Sequence, residues 1–278
     1  MQLVQISDLH VRPEGRIAYG RVDTNAMLRD AVAAILRMDP APDGVIVSGD
    51  LTDCGLEAEY ALLAHLLGTL PMPVWVIPGN HDDPAALVGA LGHRCPYLPR
   101  EGFVQYVVDD LPLRLIFLDT TVTGQTHGRM CDARLAWLDG QLRLGAGRPT
   151  MIVMHHPPFL TGIDGMDALR CLNGDAMAAI VARHPEVERV VAGHYHRPIV
   201  VRWAGTVGYA VPSTAHQVAL DLRSGQPNRF VLEPPALVVH RWSAETGLVS
   251  HLAPIGDFGQ PFDVELAEEY AARVAPIA

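Results

Sequence analysis

Asp8, His10, Asp50, Asn80, His155, His194 and His196 are carboxylate, amide and imidazole side chains scattered along a chain of 278 residues. Oxygen and imidazole donors of this kind bind divalent or trivalent transition metals. Asp8/His10 and His194/His196 are spaced i, i+2. On extended chain, residues two apart point to the same side, so each pair can offer two donors to one site. Asp50 has two carboxylate oxygens and can touch two ions at once. Seven donors are too many for one closed tetrahedral zinc. They suit two adjacent ions with positions left open for water and substrate. No cysteine lies among them, which argues against a cysteine–zinc structural site.

Each donor follows a short apolar run: Leu3–Ile6, Val45–Val47, Val74–Ile77, Thr150–Met154 and Val187–Ala192. These read as strands, and in open α/β sheets the carboxyl ends of strands converge on one crevice. Glycines at 49, 79 and 193 allow sharp backbone turns beside the donors. Helical patterns lie between the runs, over Asn25–Met38 with Asp23 or Thr24 as N-cap, over Glu57–Leu67, from Pro84, from a capping Asp132 to Leu142, and over Ala176–Arg183. Phe103–Val108 and Leu113–Leu118 flank a turn at Asp109–Pro112 and read as a hairpin. The alternation predicts a layered α/β core with a mixed sheet. After His196 the pattern is mostly β, over Ile199–Trp203, Thr206–Val211, Val218–Leu222, Arg229–Leu232 and Leu237–Trp242, and Val264–Val274 reads as a short helix. Taken singly, the donor segments also read as a surface turn, a loop, a helix cap from Asp82 or Asp83, and a loop entry at His155-His156-Pro157-Pro158. Their joint order, each after an apolar strand, favours the metal reading.

Composition narrows the class. With 21 basic against 31 acidic residues the net charge is −10, which disfavours binding to a nucleic-acid polyanion. There is no basic strip with interleaved aromatics, so a nuclease is disfavoured. No apolar run reaches the about 18 residues that span a bilayer, and Met1–Asp8 lacks the basic and apolar regions of a secretory signal. Cys54, Cys95, Cys131 and Cys171 lie far apart and read as reduced thiols, so a cytoplasmic location is expected.

Asp8-Leu9-His10, Gly49-Asp50, Gly79-Asn80-His81-Asp82, His155 and Gly193-His194-Tyr195-His196 together resemble the signature of the calcineurin-like metallophosphoesterase superfamily. Within it the chain is similar to the class III cyclic-nucleotide phosphodiesterases, and to the bacterial glycerophosphodiesterases of that group in particular. Further matching segments include Tyr19-Gly20, Cys54-Gly55, Met154–Pro158, Asn173-Gly174 and His216-Gln217-Val218. The resemblance implies an α/β fold, a four-layer α-β-β-α sandwich with a small β cap. It implies a core over 1–196, a β-rich cap and dimerisation region over 197–255 that contributes strands to the core, and a C-terminal segment over 256–278. It also implies assembly as a homo-oligomer, a dimer or dimer-based.

The resemblance assigns one ion to Asp8, His10, Asp50 and His196 and a second to Asp50, Asn80, His155 and His194, with Asp50 bridging. The ions would be iron, manganese, zinc or cobalt. A hydroxide held by the pair would attack phosphorus in line. His81 would steady the phosphoryl group or protonate the leaving alkoxide, and Asn80, His81 and His216 would contact the substrate. Tyr19, Asn25, Cys54 and Tyr195 are further pocket candidates, the tyrosines being equally readable as packing residues. Phosphoprotein phosphatases of the superfamily carry an arginine where Cys54 stands here. A monoester dianion needs that fixed cation more than a diester monoanion does. The expected activity is therefore hydrolysis of small phosphodiesters, glycerophosphodiesters first and 3′,5′-cyclic nucleotides second. A non-catalytic scaffold of this fold would lack donors, and none is missing. His65, His93, His127, His184, His240 and His251 are expected to pack or lie at the surface, and His156 to support its loop rather than bind metal.

Overall fold

Period-two alternation sets the layering. In the strand Thr150–Met154, Met151 and Val153 pack into one apolar core while Ile152 and Met154 pack into another on the opposite face. A strand buried on both faces must lie between two further layers. The computed structural model describes residues 1–259 and 261–264. In chain order the elements are β1 (Gln2–Ile6), α1 (Thr24–Leu36), β2 (Gly44–Ser48), α2 (Glu57–Leu67), β3 (Val74–Ile77), α3 (Pro84–Leu91), β4 (Tyr106–Val108), β5 (Arg114–Phe117), β6 (Gly128–Arg129), α4 (Asp132–Leu144) and β7 (Thr150–Met154). There follow α5 (Asp164–Asp167), β8 (Cys171–Leu172), α6 (Gly174–Val181), β9 (Val187–Ala192), β10 (Ile199–Trp203), β11 (Thr206–Ala210), β12 (Gln217–Val218), β13 (Phe230–Val231), β14 (Ala236–Ser243) and β15 (Gly247–Pro254).

Two mixed sheets face each other. The first has the order β15-β14-β1-β2-β3, with β1, β2 and β3 parallel. The second has the order β10-β11-β9-β7-β5-β4, parallel except at its two edges. Leu28, Ile35, Leu63 and Leu87 of α1–α3 share a core with Val45, Val47 and Val76 of the first sheet and with Phe117 and Val153 of the second. Leu138, Leu142, Met177 and Val181 of α4 and α6 close the far face of the second sheet over Ile116, Ile152 and Val190. The result is the α-β-β-α sandwich. Strands β10, β11, β14 and β15 complete the two sheets from the 197–255 stretch, whereas β12 and β13 form a separate two-stranded sheet.

Local chemistry fixes the boundaries. The Asp23 carboxylate accepts from Ala26 N–H at 2.9 Å and caps α1. Asp83, not Asp82, caps α3 by accepting from Ala86 N–H at 2.8 Å, with Pro84 in the first turn. α4 begins one residue earlier than expected of a capping Asp132: Cys131 is its N-cap and Asp132 lies in its first turn. The strands expected over 218–222 and 229–232 shrink to β12 and β13. Leu220 and Leu222 are exposed there, and Asp221 is paired with Arg223 and Arg229. The apolar run is a solvent-facing loop. β15, which exposes Val249, His251, Leu252 and Pro254, was not among the expected strands. The helix expected over 264–274 lies, from residue 265 on, outside the described residues. All four cysteines are free, and among the described residues no helix is long and apolar enough to cross a membrane.

His240 is buried in the first sheet, its Nε2 2.9 Å from Gln5 Oε1 and its Nδ1 2.6 Å from Ser250 Oγ. Burial, and secondarily Arg189, pushes its pKa down to about 3. A folded-state value below the unfolded one means stability that is complete above about pH 6.5 and is lost as pH falls towards 3. Between pH 7 and 5 this one group is expected to cost about 2 kcal/mol. Urea unfolding of the wild type and a His240→Gln variant at both pH values checks it. The wild type should lose about 2 kcal/mol more than the variant, and equal losses would remove His240 as the cause.

Candidate metal centre

All seven donors sit just past the carboxyl ends of parallel strands: Asp8 and His10 after β1, Asp50 after β2, Asn80 after β3, His155 after β7, and His194 and His196 after β9. The first sheet supplies four and the second three. The i, i+2 pairs do not work through extended chain. Asp8, His10, Asp50, His194 and His196 have φ of 54°, 46°, 47°, 65° and 45°. This left-handed region costs a non-glycine residue roughly 1–3 kcal/mol and marks functional sites. Cross-strand bonds hold it: Asp8 N–H donates to the Gly49 carbonyl and His10 N–H to that of Asp50, each at 3.0 Å. His194 N–H donates to both Asp8 oxygens at 3.0 and 3.1 Å.

Glycine 79 is needed for proximity rather than for turning, since a Cβ there would overlap Asp50 Oδ1. Gly193 is similar, facing Ser7 Oγ and Asp8.

The donors form two groups joined at Asp50. In the first, His196 Nε2 is 3.2 Å from Asp8 Oδ1, His10 Nε2 is 3.3 Å from His196 Nε2, and His10 Nε2 is 3.8 Å from Asp50 Oδ2. In the second, His155 Nε2 is 3.3 Å from both Asp50 Oδ1 and Asn80 Oδ1, and the His155 and His194 rings are 5.1 Å apart. Each Asp50 oxygen therefore faces a different set of imidazoles. Both sets are buried.

Hydrogen bonds assign the free lone pairs. His196 Nδ1 donates to the His216 carbonyl at 2.9 Å and His155 Nδ1 to the Ser48 carbonyl at 2.9 Å, while His10 Nδ1 is 3.3 Å from Asp53 Oδ1. With Nδ1 so engaged, Nε2 is the atom that each ring turns towards the other donors, the orientation a metal requires of its histidines. His194 Nε2 is buried with no hydrogen-bond partner, an atom that needs one. These residues fit a pair of transition-metal ions.

The electrostatics agree. Burial opposes ionisation of Asp50, yet His155 and His81 hold its carboxyl well below the usual range. Burial likewise disfavours charge on His155, but Asp50 and Asp8 raise its pKa to about 9. Asp50 and Asp8 thus favour a charge at His155, whereas burial and then His155 push the neighbouring His194 down to about 3.

His81 stands beside the cluster, its ring 4.7 Å from that of His10. Its Nδ1 lies 2.7 Å from the Asp53 carbonyl and its backbone N–H donates to Asp50 Oδ1 at 2.9 Å. Burial opposes its charging, but Asp50 and Asp53 outweigh burial and raise its pKa. A cavity of about 120 Å³ opens over the cluster, with His10, Asp50 and His196 beneath and Tyr19, Met166 and Phe230 around it. A second, of about 240 Å³, is lined by Asp83, Thr121, Thr123 and Gly124. Asn80 and His81 line both.

Other candidates separate. Tyr19 lines the smaller cavity and Cys54 the larger. Asn25 exchanges two 3.0 Å bonds with the Arg12 backbone, and buried Tyr195 reaches Asp167 through its hydroxyl at 3.2 Å. These two are structural. His216 is fully buried, its ring 4.7 Å from that of His196.

Three further residues complete the surroundings of the donors, and of these Asp53 carried no signal in the sequence. His156 sits with its ring 4.5 Å from that of His194, Nδ1 2.7 Å from Thr120 Oγ1 and Nε2 without a partner. Asp53 joins His10 to Arg12, whose guanidinium is 3.2 Å from Asp53 and 2.8 Å from Glu59. Asp82 accepts from the N–H groups of Leu51, Thr52 and Gly79 at 2.9, 3.1 and 2.9 Å, pinning the Asp50 and Asn80 loops together.

A family model for calcineurin-like phosphoesterases matches residues 1–198. The chain is 36% identical over 246 residues to a glycerophosphodiester phosphodiesterase of Enterobacter lignolyticus, covering 88% of each protein. It is 38% identical over 227 residues to a probable cyclic nucleotide phosphodiesterase of Rhodopseudomonas palustris, covering 80% of this chain and 81% of that one. A dimetal phosphatase from Danio rerio shares the fold, with a TM-score of 0.65 at 15% identity over 92% of this chain and 99% of that one.

Proposed function

This chain belongs to the calcineurin-like phosphoesterase family, and from that premise we propose that it hydrolyses small phosphodiesters, glycerophosphodiesters foremost, with two transition-metal ions. Asp8, His10, Asp50 and His196 hold one ion, and Asp50, Asn80, His155 and His194 the other. Iron, manganese, zinc and cobalt suit these donors. The observation that carries the reading is Asp50, whose two oxygens face His155 at 3.3 Å and His10 at 3.8 Å. When bound, two such cations acidify water from a pKa of about 15.7 towards roughly 7 and neutralise charge building on the phosphoryl oxygens.

The protein's own groups do the rest. Asn80 and His81, shared by both cavities, face the phosphoryl group. With Nδ1 committed to the Asp53 carbonyl, His81 is left with Nε2 to steady that group or to pass a proton to the leaving alkoxide. His216 holds His196 through its carbonyl. Among the described residues no arginine or lysine lines either cavity, and the Arg12 guanidinium is matched by Asp53 and Glu59. A singly charged diester fits such a site better than a doubly charged monoester. The same reading places the enzyme in the cytoplasm. It also assembles the chain as a dimer through 197–255, where Val200, Leu220, Leu222 and Leu232 are exposed.

The test is a substrate panel on protein whose metals have been quantified: glycerophosphoethanolamine, glycerophosphocholine, cyclic AMP and a simple monoester. About two ions per chain and diester turnover at least tenfold above monoester turnover are expected, with activity lost on chelation. Monoester preference, or inertness with all four metals, overturns it.

A further inference from the structure

Resting on the phosphodiesterase reading, we propose that Tyr19 and Phe230 form a size-selective wall over the centre, so that the enzyme takes acyclic diesters whose two compact arms enter separate cavities and turns away the fused nucleoside of a cyclic nucleotide.

The wall is built from ring contacts. Phe230 stacks on Tyr19 with centroids 5.4 Å apart and planes at 29°, and meets His216 edge-on at 4.6 Å. Tyr19 meets the same His216 edge-on at 5.1 Å. The two rings stand over imidazoles of the centre, with Tyr19 6.4 Å from His10 and Phe230 6.0 Å from His196. The space they leave is about 120 Å³, against the roughly 300 Å³ at which pockets for drug-sized ligands begin.

Phe230 is held in place by the segment that carries it. That segment, residues 219–232, is tied to α5 because Asp164 accepts from Ser224 Oγ at 2.7 Å and from Gly225 N–H at 3.1 Å. Arg197 tethers its base through the Val218 carbonyl at 2.6 Å and Glu233 at 2.7 Å. Asn228 packs so closely on α5 that a Cβ at Gly165 would overlap its Oδ1.

The division of space matches the chemistry of an acyclic diester. Its two alcohol arms rotate freely about phosphorus, so with Asn80 and His81 between two cavities each arm can take one. The larger cavity offers Thr121, Thr123 and Asp83, hydrogen-bonding partners for a hydroxylated arm such as glycerol. The smaller, aromatic-walled cavity fits a short alkyl or aminoalkyl arm. In a 3′,5′-cyclic nucleotide both ester oxygens belong to one rigid nucleoside, which cannot be divided in this way.

The test compares kcat/KM for cyclic AMP with that for glycerophosphocholine. A parallel pair, thymidine 5′-p-nitrophenyl phosphate against methyl p-nitrophenyl phosphate, reads arm size whatever the natural substrate. Phe230→Ala should raise both bulky-to-compact ratios at least tenfold, and Phe230→Trp should lower them. Gly165→Ala, which displaces Asn228, should shift them in the direction of Phe230→Ala. Leu144→Ala, exposed at the end of α4, should leave them unchanged. By calorimetry, Phe230→Ala should tighten AMP binding relative to glycerol 3-phosphate. Ratios within twofold of wild type in Phe230→Ala and Phe230→Trp protein of normal metal content overturn the wall. So does a uniform loss on all substrates. Wild-type protein that cleaves no diester at all would instead defeat the function on which the wall rests.

Discussion

Asp50→Asn protein is expected to hold fewer than two metal ions per chain and to lose more than about a thousandfold in kcat/KM on every diester. Asparagine keeps the shape and one oxygen, but it replaces the second oxygen with an N–H group that donates. One of the two faces of residue 50, towards His155 or towards His10, then has no acceptor. The substitution also removes one of the two carboxylates, Asp8 and Asp50, among the seven proposed donors. Loss of groups that merely support a metal ligand costs about 10–100-fold in metal affinity or activity, so loss of a shared ligand should cost more. Metal analysis by mass spectrometry beside steady-state kinetics decides it. Two equivalents of metal with activity within tenfold of wild type would show that Asp50 does not bridge.

His81→Ala should separate substrates by their leaving groups. An alkyl alcohol departs as a strongly basic alkoxide and needs a proton, whereas p-nitrophenolate leaves without one. General acid catalysis is worth about 10²–10⁴, so a loss of that order is expected with glycerophosphodiesters. With bis-(p-nitrophenyl) phosphate the loss should be below about tenfold, because little proton transfer is needed. The Nδ1 bond to the Asp53 carbonyl keeps the ring oriented in the wild type, which makes the comparison one of chemistry rather than of placement. Equal losses on both substrates would reduce His81 to a positioning role.

Much of this architecture was legible because apolar period and polar punctuation coincide. The runs Val74–Ile77, Thr150–Met154 and Val187–Ala192 end at proline, histidine and glycine, and the strands end there too. Glu57–Leu67 shows the helical spacing of its buried face, Tyr60, Leu63 and Leu67. The gathering of the candidate donors was legible because they follow those strand ends closely.

What was hidden depends on contacts between distant positions. The Asp53 contact with His10 spans 43 residues and the Asp82 bond to Leu51 spans 31, so nothing near either aspartate betrays its partner. The left-handed backbone of Asp8 and His10 runs against the usual preference of non-glycine residues and is imposed by the neighbouring strand. The exposed Leu220 and Leu222 imitate a strand because hydrophobicity alone does not distinguish a buried run from a sticky surface loop.

Asp8, His10, Asp50 and Asn80 follow strands of one sheet, and His155, His194 and His196 follow strands of the other. The seam of the sandwich therefore runs into the metal centre, and ions bound there would rivet the two halves. A slip of one sheet along its partner would open the donor set, and a filled donor set would resist that slip. Loading should thus toughen the whole domain against heat, by about 2.7 kcal/mol at a hundredfold excess over the dissociation constant. Metal supply would then govern how long the protein survives as well as how fast it turns over.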